Sequence, residues 1–104
     1  MTQWTEEQYQ ELSRKVARKF DTDSFWIQAT FIDQGQEIWL HNDWHTIMEL
    51  CDKHGVYATR YSETAIADCS SSSVRKIARN SDHNNDSSLA QRVARMLALM
   101  EVTL

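Results

Sequence analysis

The run from His41 to Cys69, HNDWHTIMELCDKHGVYATRYSETAIADC, constrains the fold most, because it predicts a helix that stops at a glycine and passes straight into a strand. Asn42 or Asp43 can accept a hydrogen bond from the first free backbone N–H groups, and Asp43 also suits the positive end of the helix dipole. Trp44, Ile47, Met48 and Cys51 then fall at i, i+3, i+4 and i+7, one apolar face with Leu50 at its margin. Gly55 follows Lys53 and His54, and glycine enters the left-handed conformation that closes a helix without a Cβ penalty. The helix is therefore expected over 43–54.

Sharp stops of this kind matter because the chain has so few other punctuators. It holds no proline and two glycines, where average usage would give roughly 5 and roughly 7. Asn, Asp and Ser must make most turns, which places loops at Asp33 to Gln36, Ser70 to Ser73 and Asn80 to Ser88. With 104 residues, 41% of them hydrophobic, the chain can bury one core and is expected to be a single compact domain over 1–104. The N-terminal MTQWTEEQYQ lacks the pattern of a secretory signal, and no run of eighteen apolar residues occurs. The expected compartment is the cytoplasm, with no membrane contact and with Cys51 and Cys69 reduced. Cys51 reads as a small buried apolar residue.

Thr5 can cap a first helix over 5–20, whose apolar stripe is Tyr9, Leu12, Val16 and Phe20. Its basic residues Arg14, Lys15, Arg18 and Lys19 suit the helix dipole and need no phosphate to explain them. Phe25 to Ile32 alternates in period two, with Phe25, Ile27 and Phe31 on one side and Trp26 and Ile32 on the other. Paired with Glu37 to Leu40 across a turn at Gly35, it predicts a hairpin, although Asp21 and Asp23 could also cap a helix there. Val56 to Tyr61, Thr64 to Cys69 and Val74 to Arg79 predict an antiparallel meander. The tract Asn80 to Asp86 is read as a surface loop that buries nothing. Asp86 or Ser87 then caps a helix over 87–101, with Leu89, Val93, Met96, Leu97 and Met100 as its core stripe.

The expected fold class is thus α+β, a small antiparallel sheet packed by about three helices. Leu12, Val16, Ile47, Met48, Cys51, Val93, Leu97 and Met100 are the expected core, and Trp44 joins them on its stripe. The closing helix carries Ala90, Ala94, Ala98 and Leu99 beyond one face. It is either central to the monomer or the seam of a homodimer, and small residues on a second apolar side favour the dimer.

The order ELSRKVARKF, NDWHTIMELCDKHG, small sheet, SSLAQRVARMLALMEV resembles small phage proteins of the ABA-sandwich type. The shared features are a D-W-x-x-x-M-like helix opening, an antiparallel sheet and a terminal helix of the A-x-x-R-A-x-L-x-x-M kind, over about two thirds of the chain. The segment TDSFWIQATFIDQGQEIWL departs from the family's pattern. The resemblance implies a phage or prophage accessory protein and carries no chemistry with it.

The chain lacks the phosphate-binding, dinucleotide-binding, nucleophile-elbow and H-E-x-x-H motifs, so no enzyme and no cofactor is expected. His41, His45, Cys51 and His54, with Cys69, have spacings that zinc could use, but they do not share one local element and no metal is expected. Cys51 with His54 as thiolate and base requires the thiol to leave the core.

Charge is what remains. The net −4 is concentrated in residues 21–55, where Lys53 opposes Asp21, Asp23, Asp33, Glu37, Asp43, Glu49 and Asp52. Such a field disfavours nucleic-acid phosphate and favours a basic protein surface. Asp21, Asp23, Trp26, Asp33, Glu37 and Trp39 are the candidate partner-binding residues, acids for steering beside aromatic anchors. The expected function is stoichiometric, non-catalytic binding to a host protein or protein–nucleic acid complex, with an anti-CRISPR-like inhibitor the favoured form. The alternative is a nucleic-acid or nucleotide binder using Arg75, Lys76 and Arg79 with Arg92 and Arg95.

Overall fold

The structure, a computed structural model, describes residues 3–20 and 30–103. Each helix begins on a side chain that satisfies its free N–H groups. In α1 (Glu6–Phe20) the Thr5 hydroxyl accepts the Gln8 N–H at 3.3 Å and Gln8 Oε1 accepts the Thr5 N–H at 2.7 Å, a reciprocal capping box. In α2 (Trp44–His54) Asp43 accepts the Thr46 N–H, and in α3 (Ser87–Glu101) Asp86 accepts those of Ser88 and Leu89. Gly55 ends α2 at φ 74°, and a Cβ there would stand 2.5 Å from Ser70 Oγ, so conformation and space both demand glycine.

Strands β1 (Thr30–Asp33) and β2 (Gln36–Trp39) form a two-stranded sheet of their own. Their turn is tighter than expected, because Gln34 and Gly35 both take positive φ (52° and 81°), the two-residue geometry that matches strand twist. Leu40 does not extend β2; it opens a 3-10 turn, Leu40–Asn42, and is buried. The part of the predicted strand before Thr30, with Phe25, Trp26 and Ile27, lies outside the described residues. Strands β3 (Val56–Arg60), β4 (Thr64–Cys69) and β5 (Arg75–Arg79) form the expected antiparallel meander in the order β3-β4-β5.

The α3 helix sits between that meander and the pair α1 and α2. The sheet's inner face presents Val56, Ala65, Ala67, Cys69 and Ala78, all buried, and residues this small let a helix approach closely. Ala90, Val93, Ala94, Met96, Ala98 and Leu99 are fully buried within the one chain. The ground for a homodimer through α3 is thereby removed: the second apolar side is covered by the monomer's own elements. Leu97 and Met100 are only partly buried against the core.

Two further expectations are corrected. Met48 is 36% exposed, whereas Leu50 is buried beside Ile47 and Cys51. The buried face of α2 is therefore turned toward Leu50, and Trp44 is only half-buried. The Asn80 to Asp86 tract does bury a residue, since His83 is 2% exposed. Its ring meets the Tyr9 hydroxyl at 2.8 Å through Nδ1 and packs edge-on against Trp4, which gives a polar side chain an interior partner.

Candidate functional site

Of the six predicted contact residues, Asp33, Glu37 and Trp39 are described, and Asp21, Asp23 and Trp26 lie outside the described residues. In the hairpin register Ile32 faces Glu37, Phe31 faces Ile38 and Asp33 faces Gln36. Cross-strand partners share a face, so Asp33 and Glu37 lie on opposite sides of the ribbon. Each acid has an apolar neighbour on its own face: Ile32, 70% exposed, with Glu37, and Phe31, 39% exposed, with Asp33. Trp39 is half-buried, and the Arg14 guanidinium stands over its ring at 5.0 Å. That contact already occupies part of the indole, so Ile32 is the more open anchor.

The histidines and cysteines do not converge. Among the described residues, no three His, Cys, Asp or Glu side chains are grouped closely enough to hold a metal. His45 is exposed beside Glu49 at 3.1 Å, and His54 packs on Phe20 with ring centroids 4.7 Å apart. Cys51 is buried, and burial pushes its thiol up to about 12, which leaves no thiolate for chemistry.

His41 is buried where the sequence placed it merely ahead of a helix. The Ser13 hydroxyl meets its Nδ1 at 3.0 Å and accepts its backbone N–H at 3.2 Å, while Glu6 stands 3.8 Å from Nε2. Serine, histidine and glutamate in that order have the composition of a hydrolytic triad, but the exposure is reversed. Ser13 is wholly buried and the Glu6 side chain is 64% exposed, so the hydroxyl cannot meet a substrate. Tyr9 stacks on His41 and bonds His83, joining α1 to the Leu40–Asn42 turn and to the residue that follows a second 3-10 turn, Asn80–Asp82. Burial lowers the pKa of both histidines and keeps them neutral. Helical spacing from Tyr9 (i+4) and to Val16 (i+3) puts Ser13 on the buried face, but nothing local marks His41 as its partner or His83 as the partner of Tyr9.

The basic residues of the alternative reading form no single patch. Arg75 and Arg79 project from the open face of the meander, Arg75 bonded to Asp68 at 2.8 Å, while Lys76 on the other face reaches Glu101 at 3.3 Å. The open face also carries Tyr57, Tyr61 and Ile77, each more than half exposed. Arg92 and Arg95 stand apart from these, 5.3 and 5.1 Å from the ring centroid of Trp44. Trp44 Nε1 and Arg92 Nη1 both donate to Ser88 Oγ, at 3.1 and 3.3 Å. Among the described residues neither guanidinium is ion-paired, and neither Nε has a partner. A cation–π contact returns about 0.5–2 kcal/mol, less than the several kcal/mol that an unpaired buried charge costs.

No family model matches the chain, and no curated protein or solved structure is significantly similar to it. Among the described residues no helix is long and apolar enough to cross a membrane.

Proposed function

We propose that the chain acts by stoichiometric binding to a macromolecular partner, with the β1–β2 hairpin as its contact element. The observation that carries this is Ile32, 70% exposed on a hairpin whose strands pack chiefly on each other and whose remaining exposed surface includes Asp33 and Glu37. An open aliphatic anchor beside acids suits a basic protein surface, where charge steers the encounter and apolar burial holds it. The resemblance to small phage proteins adds the setting: a phage-encoded inhibitor in the bacterial cytoplasm acting on a basic, nucleic-acid-handling host complex, a CRISPR effector being the favoured form. The buried Ser13 and Cys51 support binding over turnover.

Affinity capture from a bacterial lysate tests the reading. Wild type should retain a basic protein that Ile32→Asp, or Asp33→Lys with Glu37→Lys, releases while circular dichroism stays unchanged. Equal retention by the variants would make the hairpin an ordinary solvated surface. A second reading, binding of single-stranded nucleic acid, is favoured by Tyr57 and Tyr61, 53% and 51% exposed on the face that carries Arg75 and Arg79. Affinity for an oligonucleotide that falls steeply with salt would select it.

A further inference from the structure

Three rows of side chains cross the open face of the meander. The register sets Tyr57 beside Asp68 and Arg75, and Thr59 beside Ile66 and Ile77. Tyr61 donates its backbone N–H to Thr64 O at 2.8 Å and so heads the third row, which Thr64 and Arg79 complete. The tyrosines thus lie along β3 and the arginines along β5, and these two strands run parallel because each is antiparallel to β4. The Arg75 pKa is raised, first by the hydrogen bond and charge of Asp68 and further by Tyr61 and Tyr57, so both hydroxyls lie within electrostatic reach of its guanidinium. Tyr57, Tyr61 and Ile77 are each more than half exposed, the Arg75 side chain is 65% exposed, and Arg79 is exposed as well. Rings and cations are therefore open to solvent together. Two arginines outnumber the one acid of these rows, in a chain whose net charge is −4.

We infer that this face holds a single strand of nucleic acid lengthwise, with bases stacked on Tyr57 and Tyr61 over β3 and phosphates beside Arg75 and Arg79 along β5. This rests on the second reading of the function, and adds to it the line the strand follows and the part each edge plays. Four residues separate Tyr57 from Tyr61 and Arg75 from Arg79, about 13 Å of extended chain in each case. A strand laid along β3 therefore meets a ring and a cation at the same two levels. Stacking on tyrosine tolerates any base, because every base has a π-face. Ile66 and Ile77 give the level between the rings an apolar floor. A duplex offers no such faces, since its bases are already stacked on each other. In plan the face measures roughly 250 Å², three strands of five residues, against the 800 Å² or so that each partner of a stable protein pair buries. A narrow strand fits it better than a second copy of the chain. Lys76, which the sequence groups with the arginines, takes no part, because it lies on the other face and reaches Glu101.

The test is fluorescence anisotropy of short labelled oligouridylate and oligothymidylate, titrated with the full chain at several sodium chloride concentrations. Saturable binding is expected. Tyr57→Ala and Tyr61→Ala should each weaken it by about 5- to 150-fold, the range for one lost base stack, while Tyr57→Phe and Tyr61→Phe, which keep the ring, should retain it. Arg79→Gln should flatten the slope of log affinity against log salt by about 0.7. All these side chains are exposed, so circular dichroism should stay unchanged. Tighter binding of oligouridylate assigns the face to RNA, tighter binding of oligothymidylate to DNA, and equal binding to either strand. Saturation that survives Tyr57→Ala combined with Tyr61→Ala, or an equally tight duplex, would overturn the inference and leave nucleic acid binding elsewhere on the chain. Equal binding of polyglutamate would overturn it too, leaving a general anion patch. No saturation by either oligonucleotide would overturn both the inference and the second reading beneath it.

Discussion

The β1–β2 hairpin and the β3-β4-β5 meander are built from the same material, short antiparallel strands of alternating character, yet they meet opposite fates. The meander turns Val56, Ala65, Ala67, Cys69 and Ala78 onto α3 and becomes one wall of the core. The hairpin leaves Ile32 and Phe31 in solvent. The difference is the presence of a helix to close one face, since a two-stranded ribbon alone is marginal in water. Stability should therefore concentrate around α3, and the hairpin should be free to change at little cost to the fold.

The largest effect should come from the casing of α3. Leu99→Ala removes a wholly buried side chain and should cost about 2–5 kcal/mol in urea unfolding followed by circular dichroism. Next comes Lys19, whose ammonium donates to the carbonyls of Leu99, Met100 and Val102 and so caps the end of α3 from another helix. Lys19→Met should lose roughly 1.5–3 kcal/mol, the range for hydrogen bonds to a charged group.

Acid should weaken the same half. His41, His54 and His83 have pKa values lowered by burial, and the unfolded chain binds a proton more readily than the fold does. Stability is then fully present above the ordinary histidine value of 6.5 and is lost progressively as the pH falls from there through the lower folded values. Thermal midpoints between pH 7.5 and 5 should fall, and His83→Gln should flatten the profile. Glu6 opposes the shift at His41, so Glu6→Gln should steepen it. Smallest of all, Ile32→Ala should move stability by less than about 0.5 kcal/mol, and a larger loss would mean that the hairpin is packed in solution.

The helices were legible almost to the residue because their ends are local: Thr5, Asp43, Asp86 and Gly55 each act within one turn of themselves. Rotation about a helix axis was less so. Periodicity admitted Met48 to the core and left Leu50 at the edge, whereas the surrounding elements cover Leu50. Excess alanine on α3 was visible, but whether a sheet or a second copy would cover it depends on contacts made across the chain. The acidic hairpin was legible as composition. That Asp33 and Glu37 face opposite ways follows from the register set by the Gln34-Gly35 turn. His83 could not be found from its neighbours, because its partner Tyr9 is 74 residues away.

That separation recurs along α1. Lys19 grips carbonyls 80 to 83 residues later, and the Trp4 backbone donates to Asp82. During synthesis α1 leaves the ribosome long before α3, the helix it packs against, exists. His41 and His54 can meet Tyr9 and Phe20 earlier, but the apolar stripe of Tyr9, Leu12, Val16 and Phe20 is not closed until α3 emerges, so the nascent chain is a ready client for chaperones and proteases until α3 has docked.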